Sequence, residues 1–516
     1  MVIICLMIGI CLLVLLRCIY QKILTCILYK NFQSLNFTKM RDNINEEYYH
    51  KIERDIDKKT FYDLELDELF KKINQTYTPI GREYMYGTMF TNQAHPLLDD
   101  VSKKLDDITL LKKVIYKLHK LSKEYTPVLD MFDDDNLYSK REIKILTLSF
   151  IFPVFFFLVN LLFDVQMFDY LICWIIVHNC LYGHFVRRTY DIIDKTRSYC
   201  FMVDTLERLI KWNVYDHELN NIIKSVRKYT FLYRLNYYLS KVDVFHLLEM
   251  LNSLTFFPIF QCIIIQKNRN QLEENLLFIF EYIGLLDMAV ALKKVKKQYV
   301  ICTPTVSQKK ELHFVECYHP LLTQPVKNTF KISKSLIITG SNTSGKSTFL
   351  KMIGINMICA RVFHFCFAEE FCYYPFSLKT SIHMKDDLKR NESYYIKEIK
   401  TLKAILDKVE KQDCFIMIDE ILRGTNEKER NAISVVLLEK LFAGASLIIV
   451  TTHDIYVADY FKDIEHYYFC NEIKNGRVYS DYKIKKGSWR IGNAIELLKI
   501  YEFDEELICH MNELMK

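Results

Sequence analysis

Gly340-Ser341-Asn342-Thr343-Ser344-Gly345-Lys346-Ser347 organises the C-terminal part of this chain. The octet follows an apolar run, Leu336-Ile337-Ile338-Thr339, and leads into a helical pattern from Thr348 through Met352 and Ile353. Strand, glycine-rich loop and helix, in that order, make a phosphate-binding P-loop. Gly340 and Gly345 let backbone N–H groups turn inward around an anion with no Cβ in the way. Lys346 places its charge on the β- and γ-phosphates, and the Ser347 hydroxyl is a ligand for Mg2+. A chance glycine turn is the alternative, and the strand and helix on either side argue against it. ATP is the expected ligand, held by the octet together with Thr348.

Downstream, Cys414-Phe415-Ile416-Met417-Ile418-Asp419-Glu420 is an apolar run ending in two acids. Such a run reads as a buried parallel strand whose carboxyl end faces the ligand. Asp419 is the expected carboxylate for Mg2+, and Glu420 the expected base that polarises the attacking water. A further run, Ser446-Leu447-Ile448-Ile449-Val450, ends in Thr451-Thr452-His453-Asp454. His453 contacts the γ-phosphate or its water on one reading and caps the next helix on the other. Between the two acids and the P-loop, Ile396, Ile399, Leu402, Leu406 and Val409 form a helical stripe. Ser393 therefore stands at a helix N-terminus, which suits an anion and equally suits an ordinary capping serine.

The chain has 516 residues, half of them hydrophobic and 14% aromatic, enough for several packed cores. Its net charge of +6 is compatible with a nucleic acid or an anionic membrane and selects neither. Sixteen cysteines lie scattered without a CxxC pair, which points to reduced thiols and away from a zinc site or a disulfide framework. Residues 2–16 carry no charge and are followed by Arg17, Lys22 and Lys30, the order of an uncleaved anchor with the body of the protein inside. Residues 145–163 and 170–186 are two more uncharged runs. Lys140, Arg141, Lys144, Arg187 and Arg188 lie outside them, and no Lys or Arg lies between them. That pattern is expected of a transmembrane hairpin with both ends in the cytoplasm, and a buried helical hairpin is the alternative. Residues 251–266, with Asn252, Ser253 and Pro258, read as a packed helix instead.

Taken together these residues resemble the MutS mismatch-repair family, a branch of the ABC-type ATPases. The resemblance rests on the P-loop with Asn342, on Asp386-Asp387-Leu388 leading to Ser393 and Glu398, on Asp419-Glu420 followed by Arg423-Gly424-Thr425, and on Thr451-Thr452-His453. His319-Pro320-Leu321 resembles the segment ahead of that P-loop, and the 482–487 and 492–498 stretches resemble the C-terminal dimerisation element. Ile73-Asn74-Gln75-Thr76 with Gly81-Arg82-Glu83 looks like the start of the helical core, and Tyr282-Ile283-Gly284-Leu285-Leu286-Asp287 like the lever helix. The likeness covers roughly residues 60–140 and 190–516 and is specific from about 316 onward.

The resemblance implies an α/β P-loop NTPase domain of the ABC/MutS type, an all-α lever and core domain, and added transmembrane helices. The expected divisions are an anchor at 1–30, the first part of the core at 31–142, a membrane hairpin at 143–188, the lever domain at 189–300 and the ATPase with its dimerisation element at 301–516. It further implies a homodimer, with the P-loop, Asp419 and Glu420 of one copy meeting Ser393 of the other across the nucleotide, catalytic roles for Lys346, Glu420 and His453, and an ATP-driven clamp on DNA or another elongated partner, a protein included. No mismatch-reading wedge with a Phe-x-Glu segment is found, and Val326 stands where the family sets an aromatic against adenine. The chain is thus expected to be a membrane-tethered relative of MutS with a cytoplasmic ATPase domain rather than a repair sensor, and mismatch-specific DNA binding stays open. An ABC transporter ATPase and a nucleotide-dependent membrane scaffold are the alternatives.

Overall fold

The structure is a computed structural model. It describes residues 47–91, 93–133, 138–149, 151, 168–216, 219–240, 252–253, 255–341, 344–382, 394–409, 413–422, 426–444, 446–474, 477–489, 498 and 503–514. The expected anchor at 1–30, Asn342, Thr343, the 386–391 segment, Ser393, the 423–425 triplet, residues 492–497 and residues 152–167 of the apolar hairpin lie outside the described residues.

The chain divides into two compact units. One contains residues 52–74, 86–96 and 292–516. Its centre is a six-stranded sheet in the order β12-β9-β4-β8-β7-β6. These strands are β4 Leu336–Gly340, β6 Ser377–Ser381, β7 Cys414–Asp419, β8 Leu447–Thr452, β9 Glu465–Phe469 and β12 Lys485–Lys486. All pairings are parallel except the edge strand β12 on β9. Every residue of β4, β7 and β8 is buried, because helices cover both faces of a parallel sheet and leave no polar side for alternation. In register, Ile338 lies beside Thr451 and Asp419 beside Thr451 from the other side. One sheet edge therefore collects the ends of β4, β7 and β8. A second sheet, in the order β1-β5-β2-β3, comprises β1 Thr305–Val306, β5 Glu370–Tyr373, β2 Leu312–Cys317 and β3 Asn328–Ile332.

The sequence division at 301 differs from this unit, which also takes in residues 52–74 and 86–96. The reason is side-chain burial: Phe61, Leu64, Leu66, Leu69 and Ile73 are all fully buried. Phe61 and Phe90 stack with ring centroids 4.0 Å apart. The buried Asp63 carboxylate accepts from Lys59 Nζ at 2.6 Å, Thr380 Oγ1 at 2.9 Å and Ile382 N at 2.8 Å, which ties this segment to the end of β6.

The other unit, residues 47–51, 75–85 and 97–291 among those described, is helical. Two stretches that the sequence reading kept apart meet here. Asp287, on the helix Arg269–Gln298, accepts from Thr78 N and Thr78 Oγ1, both at 2.7 Å, and from Tyr77 N at 2.9 Å, at the start of the helix Pro79–Thr91. A Cβ on Gly81 would lie 2.3 Å from Asp287 Oδ2, and one on Gly284 would lie 2.4 Å from Tyr84 Cβ, so both positions need glycine for the helices to touch. Among the described residues Arg269–Gln298 alone is long and apolar enough to cross a bilayer, and 72% of its apolar window is buried in the protein. It is a core helix.

The expected boundary at 188 falls inside one continuous helix, Phe168–Lys211, about 66 Å long at 1.5 Å per residue. No proline interrupts it. Residues 251–266 include the expected packed helix: Phe257–Lys267 carries proline in its first turn and buries Ile259, Cys262 and Ile265. It shares a core with Tyr138, Leu146 and Phe185.

Candidate nucleotide site

The loop after β4 turns on Gly345, whose φ of +103° is open to glycine and strained for other residues. Lys346 begins the helix Lys346–Ile358 and is almost wholly buried. Its Nζ donates to the Gly340 carbonyl at 2.6 Å and the Ser341 carbonyl at 2.9 Å, so the lysine folds over its own loop. Ser344 Oγ donates to the same Ser341 carbonyl at 2.8 Å and braces the turn. Of the expected phosphate-binding residues, Gly340, Ser341, Ser344, Gly345, Lys346, Ser347 and Thr348 are in place around this loop.

The expected metal pair also meets. Ser347 Oγ donates to Asp419 Oδ2 at 2.6 Å, and Thr451 Oγ1 donates to Asp419 Oδ1 from the neighbouring strand. Two adjacent oxygen donors at a glycine-rich anion loop fit a small hard cation such as Mg2+, which takes oxygen ligands and retains waters.

Glu420 is 4% exposed and adopts φ of +58°, outside the range a glutamate ordinarily takes. Its N–H donates to the Thr451 carbonyl at 3.0 Å, which holds the strained turn. Such strain persists where surrounding contacts over-determine it, and it clusters at functional sites. His453 Nδ1 lies 2.9 Å from Glu420 Oε1. The capping alternative for His453 is answered by its neighbour: Asp454, not His453, caps the helix Ile455–Tyr460 by accepting from Tyr456 N at 2.9 Å. Beside this pair is a cavity of about 20 Å³ lined by Glu420, Thr452, His453 and Arg430, room for about one water.

Glu398 comes to the site as well, its Oε1 accepting from Leu422 N at 2.7 Å. It sits on the helix Tyr394–Val409, which begins one residue after Ser393. The apolar stripe of that helix is only partly buried: Leu402 is in the core, while Ile396 and Ile399 are exposed. In its first two turns Glu398 is thus buried while the apolar Ile396 and Ile399 stay exposed.

The sequence reading missed Tyr482. A cavity of about 320 Å³ opens beside Gly345 and Thr348, lined by Val326, His319, Phe469 and Tyr482. A Cβ on Gly345 would lie 2.9 Å from the Tyr482 ring, so the aromatic rests on the P-loop itself. Asn328 clamps that segment: its Nδ2 donates to Tyr482 O at 3.0 Å and its Oδ1 accepts from Ile484 N at 3.2 Å. Tyr482 is 156 residues from Val326, and no local pattern marks it as a cavity wall. Burial pushes the His319 imidazole down to about 4, so this wall is neutral at physiological pH.

The family model that matches is described as MutS domain V, and it matches residues 336–516. MutS protein homolog 4 of Mus musculus is 36% identical over 148 residues, which are 26% of this chain and 15% of that protein. Endonuclease MutS2 of Thermus thermophilus is 28% identical over 177 residues, 34% of this chain and 23% of the relative. DNA mismatch repair protein MutS of Listeria monocytogenes is 25% identical over 257 residues, 47% of this chain and 30% of the relative. The chain thus matches less than a third of the length of these relatives. Residues 336–516, which hold the P-loop, are thus a MutS-type ATPase domain of P-loop fold, and the proteins this chain is similar to are of the mismatch-repair type.

Proposed function

We propose that this protein is a Mg2+-dependent ATPase that works as a homodimer, closes on DNA as an ATP-driven clamp, and is attached to a membrane with its ATPase unit in the cytoplasm. The observation that carries the enzymatic reading is one meeting point: Ser347 with Asp419, and His453 with Glu420, at the mouth of the same P-loop. Lys346 exchanges its carbonyl partners for the phosphates, and the adenine lies in the cavity against Tyr482. Ser347 and Asp419 would hold Mg2+, which when bound neutralises charge on the phosphates. Glu420, oriented by His453, takes the proton of the attacking water. Ser393 of a second copy completes the site, and the exposed Ile396 and Ile399 beside it supply apolar surface for that approach.

The names of the relatives support a DNA partner, and the helical unit supplies a suitable face. Lys224, Arg227 and Lys228 are all exposed at i, i+3 and i+4 on the helix Asn220–Ser240. Attachment to a membrane is supported by the charge-free runs at 145–163 and 170–186 with basic residues outside them.

Turnover of labelled ATP by the full-length protein tests the reading, with and without duplex DNA. Glu420→Gln should retain nucleotide and lose about 10²- to 10⁴-fold in turnover, the usual worth of a general base. Equal turnover by the variant, or no nucleotide retained by the wild type, refutes the enzymatic part. Reversing Lys224 and Lys228 to Glu should weaken DNA binding and lower its salt slope by about one for each phosphate no longer neutralised.

A further inference from the structure

The helical stretch 140–149 and the helix Phe168–Lys211 run antiparallel, and two contacts fix their alignment. Arg188 pairs with Glu142 at 2.5 Å, and Ser149 Oγ meets His178 Nδ1 at 2.8 Å. The buried polar side chain is satisfied there: His178, fully buried, reaches the Ser253 carbonyl with Nε2 at 2.9 Å, and at the surface Ser253 Oγ donates to the exposed Asn179 Oδ1 at 3.0 Å. Several large aliphatic side chains face outward, alongside the exposed Thr147, Asn179 and Cys180. Leu148 is 67% exposed and Ile176 59%, and Ile145, Ile151, Ile175 and Val177 are exposed with them. Single exposed apolar residues are ordinary, but six large exposed aliphatic side chains on two neighbouring helical stretches mark an interaction site.

The charges are sorted along the same pair. Lys140, Arg141, Lys144, Arg187 and Arg188 lie at the end where Glu142 and Arg188 meet, and their side chains reach the surface. Leu148, Ile175, Ile176 and Val177 lie at the other end, where Ser149 meets His178, and Ile145, next to Lys144, lies between the two. From Arg187 to Ile176 is 11 residues of one helix, about 16 Å, close to half the thickness of a bilayer's hydrocarbon core. Cations at headgroup depth and aliphatic side chains one half-leaflet further on match a lipid surface. A second copy of this chain would bring the same cationic girdle to the contact, and an aqueous partner would need no such sorting.

We propose that this face docks in a bilayer whose headgroups are anionic, with Lys140, Arg141, Lys144 and Arg187 on the phosphates and Leu148, Ile175, Ile176 and Val177 among the acyl chains. The inference rests on the membrane attachment read above and adds where the contact is made and which lipid makes it. Basic residues beside an anionic leaflet gain about 1 kcal/mol each.

The test places the photocrosslinking residue p-benzoylphenylalanine at Leu148 or Ile176 of the full-length protein, with Tyr456 of the ATPase unit, 58% exposed, as control. The protein is mixed with vesicles of phosphatidylcholine alone or phosphatidylcholine with phosphatidylglycerol, floated and irradiated. Phospholipid adducts at 148 and 176 and none at 456, more abundant with the anionic lipid, are expected. The triple reversal K140E/R141E/R187E should then cut the yield at least about tenfold while ATP binding in detergent is unchanged. Equal adducts on both vesicles, indifferent to the reversals, overturn the anionic headgroup and leave the attachment standing. Flotation without adducts at 148 and 176 overturns this face and moves the attachment elsewhere in the chain. Adducts to a second copy in place of lipid overturn the proposal, and failure to float on either vesicle refutes the attachment as well.

Discussion

Thr451→Val isolates the contribution of one hydroxyl to the nucleotide site. Thr451 is fully buried on β8, and its Oγ1 donates to Asp419 Oδ1 while Ser347 holds Oδ2. Valine keeps the shape of threonine and its strand propensity, so the sheet is retained and the hydrogen bond is removed. A bond to a charged acceptor is worth about 1.5–3 kcal/mol, which would be roughly 10- to 150-fold in affinity if it all reached the bound state. Ser347 still restrains the carboxylate, so the lower end applies, about tenfold. The change should appear as a raised Mg2+ concentration at half-maximal ATP turnover, with a matching fall in kcat/KM. Thr451→Ser, which keeps the hydroxyl, should recover most of the loss. If the Mg2+ half-saturation and kcat/KM of Thr451→Val stay within about twofold of wild type, below the effect of a single hydrogen bond, Asp419 is not positioned from β8 and the argument is wrong.

Tyr482→Ala should weaken ATP binding by about 1 kcal/mol or more while Tyr482→Phe retains it, since stacking on a base needs the ring and not its hydroxyl; nucleotide titration by intrinsic fluorescence measures this. Asp287→Ala strands three donors at a helix N-terminus and should lower stability by about 3–5 kcal/mol in urea unfolding, whereas Asp287→Asn, which keeps an acceptor, should cost less. Burial, reinforced by the nearby Glu47, pushes the Glu83 carboxyl up to about 8. A folded-state value above the unfolded one means that stability is full below the ordinary carboxyl range and falls as pH rises towards 8. Glu83→Gln should therefore flatten the pH dependence and stabilise the protein by about 1–3 kcal/mol at neutral pH, and a variant whose melting temperature keeps the wild-type pH slope would exclude the effect.

Much of the ATPase unit is legible because its signals are local. Leu336 to Ser347 carries its own strand, turn and helix within a dozen residues, and the run to Asp419 and Glu420 declares a buried strand by composition alone. The stripe from Ile396 to Val409 reads correctly as a helix but only partly as a buried face. Burial depends on what covers a helix, and among the described residues nothing in one chain covers Ile396 and Ile399. The place of segment 52–74 is hidden for a related reason: its apolar periodicity says that it packs, not on what. Asp63 finds its partners, Thr380 and Ile382, about three hundred residues downstream.

By itself, then, the amino-acid order determined the phosphate loop, the acid pair and the sorting of charge around the apolar runs, since each depends on neighbours a few residues away. Only the tertiary structure decided that Thr451 would hold Asp419, that His453 would lie beside Glu420 while Asp454 capped the next helix, and that Tyr482 would wall the cavity beside Val326. Those contacts follow from strand order: β8 lies between β4 and β7, and β9 beyond β4, so chain segments far apart in sequence end at one edge. Strand order is set by which faces bury together across the whole sheet, a property that no single stretch of the chain carries.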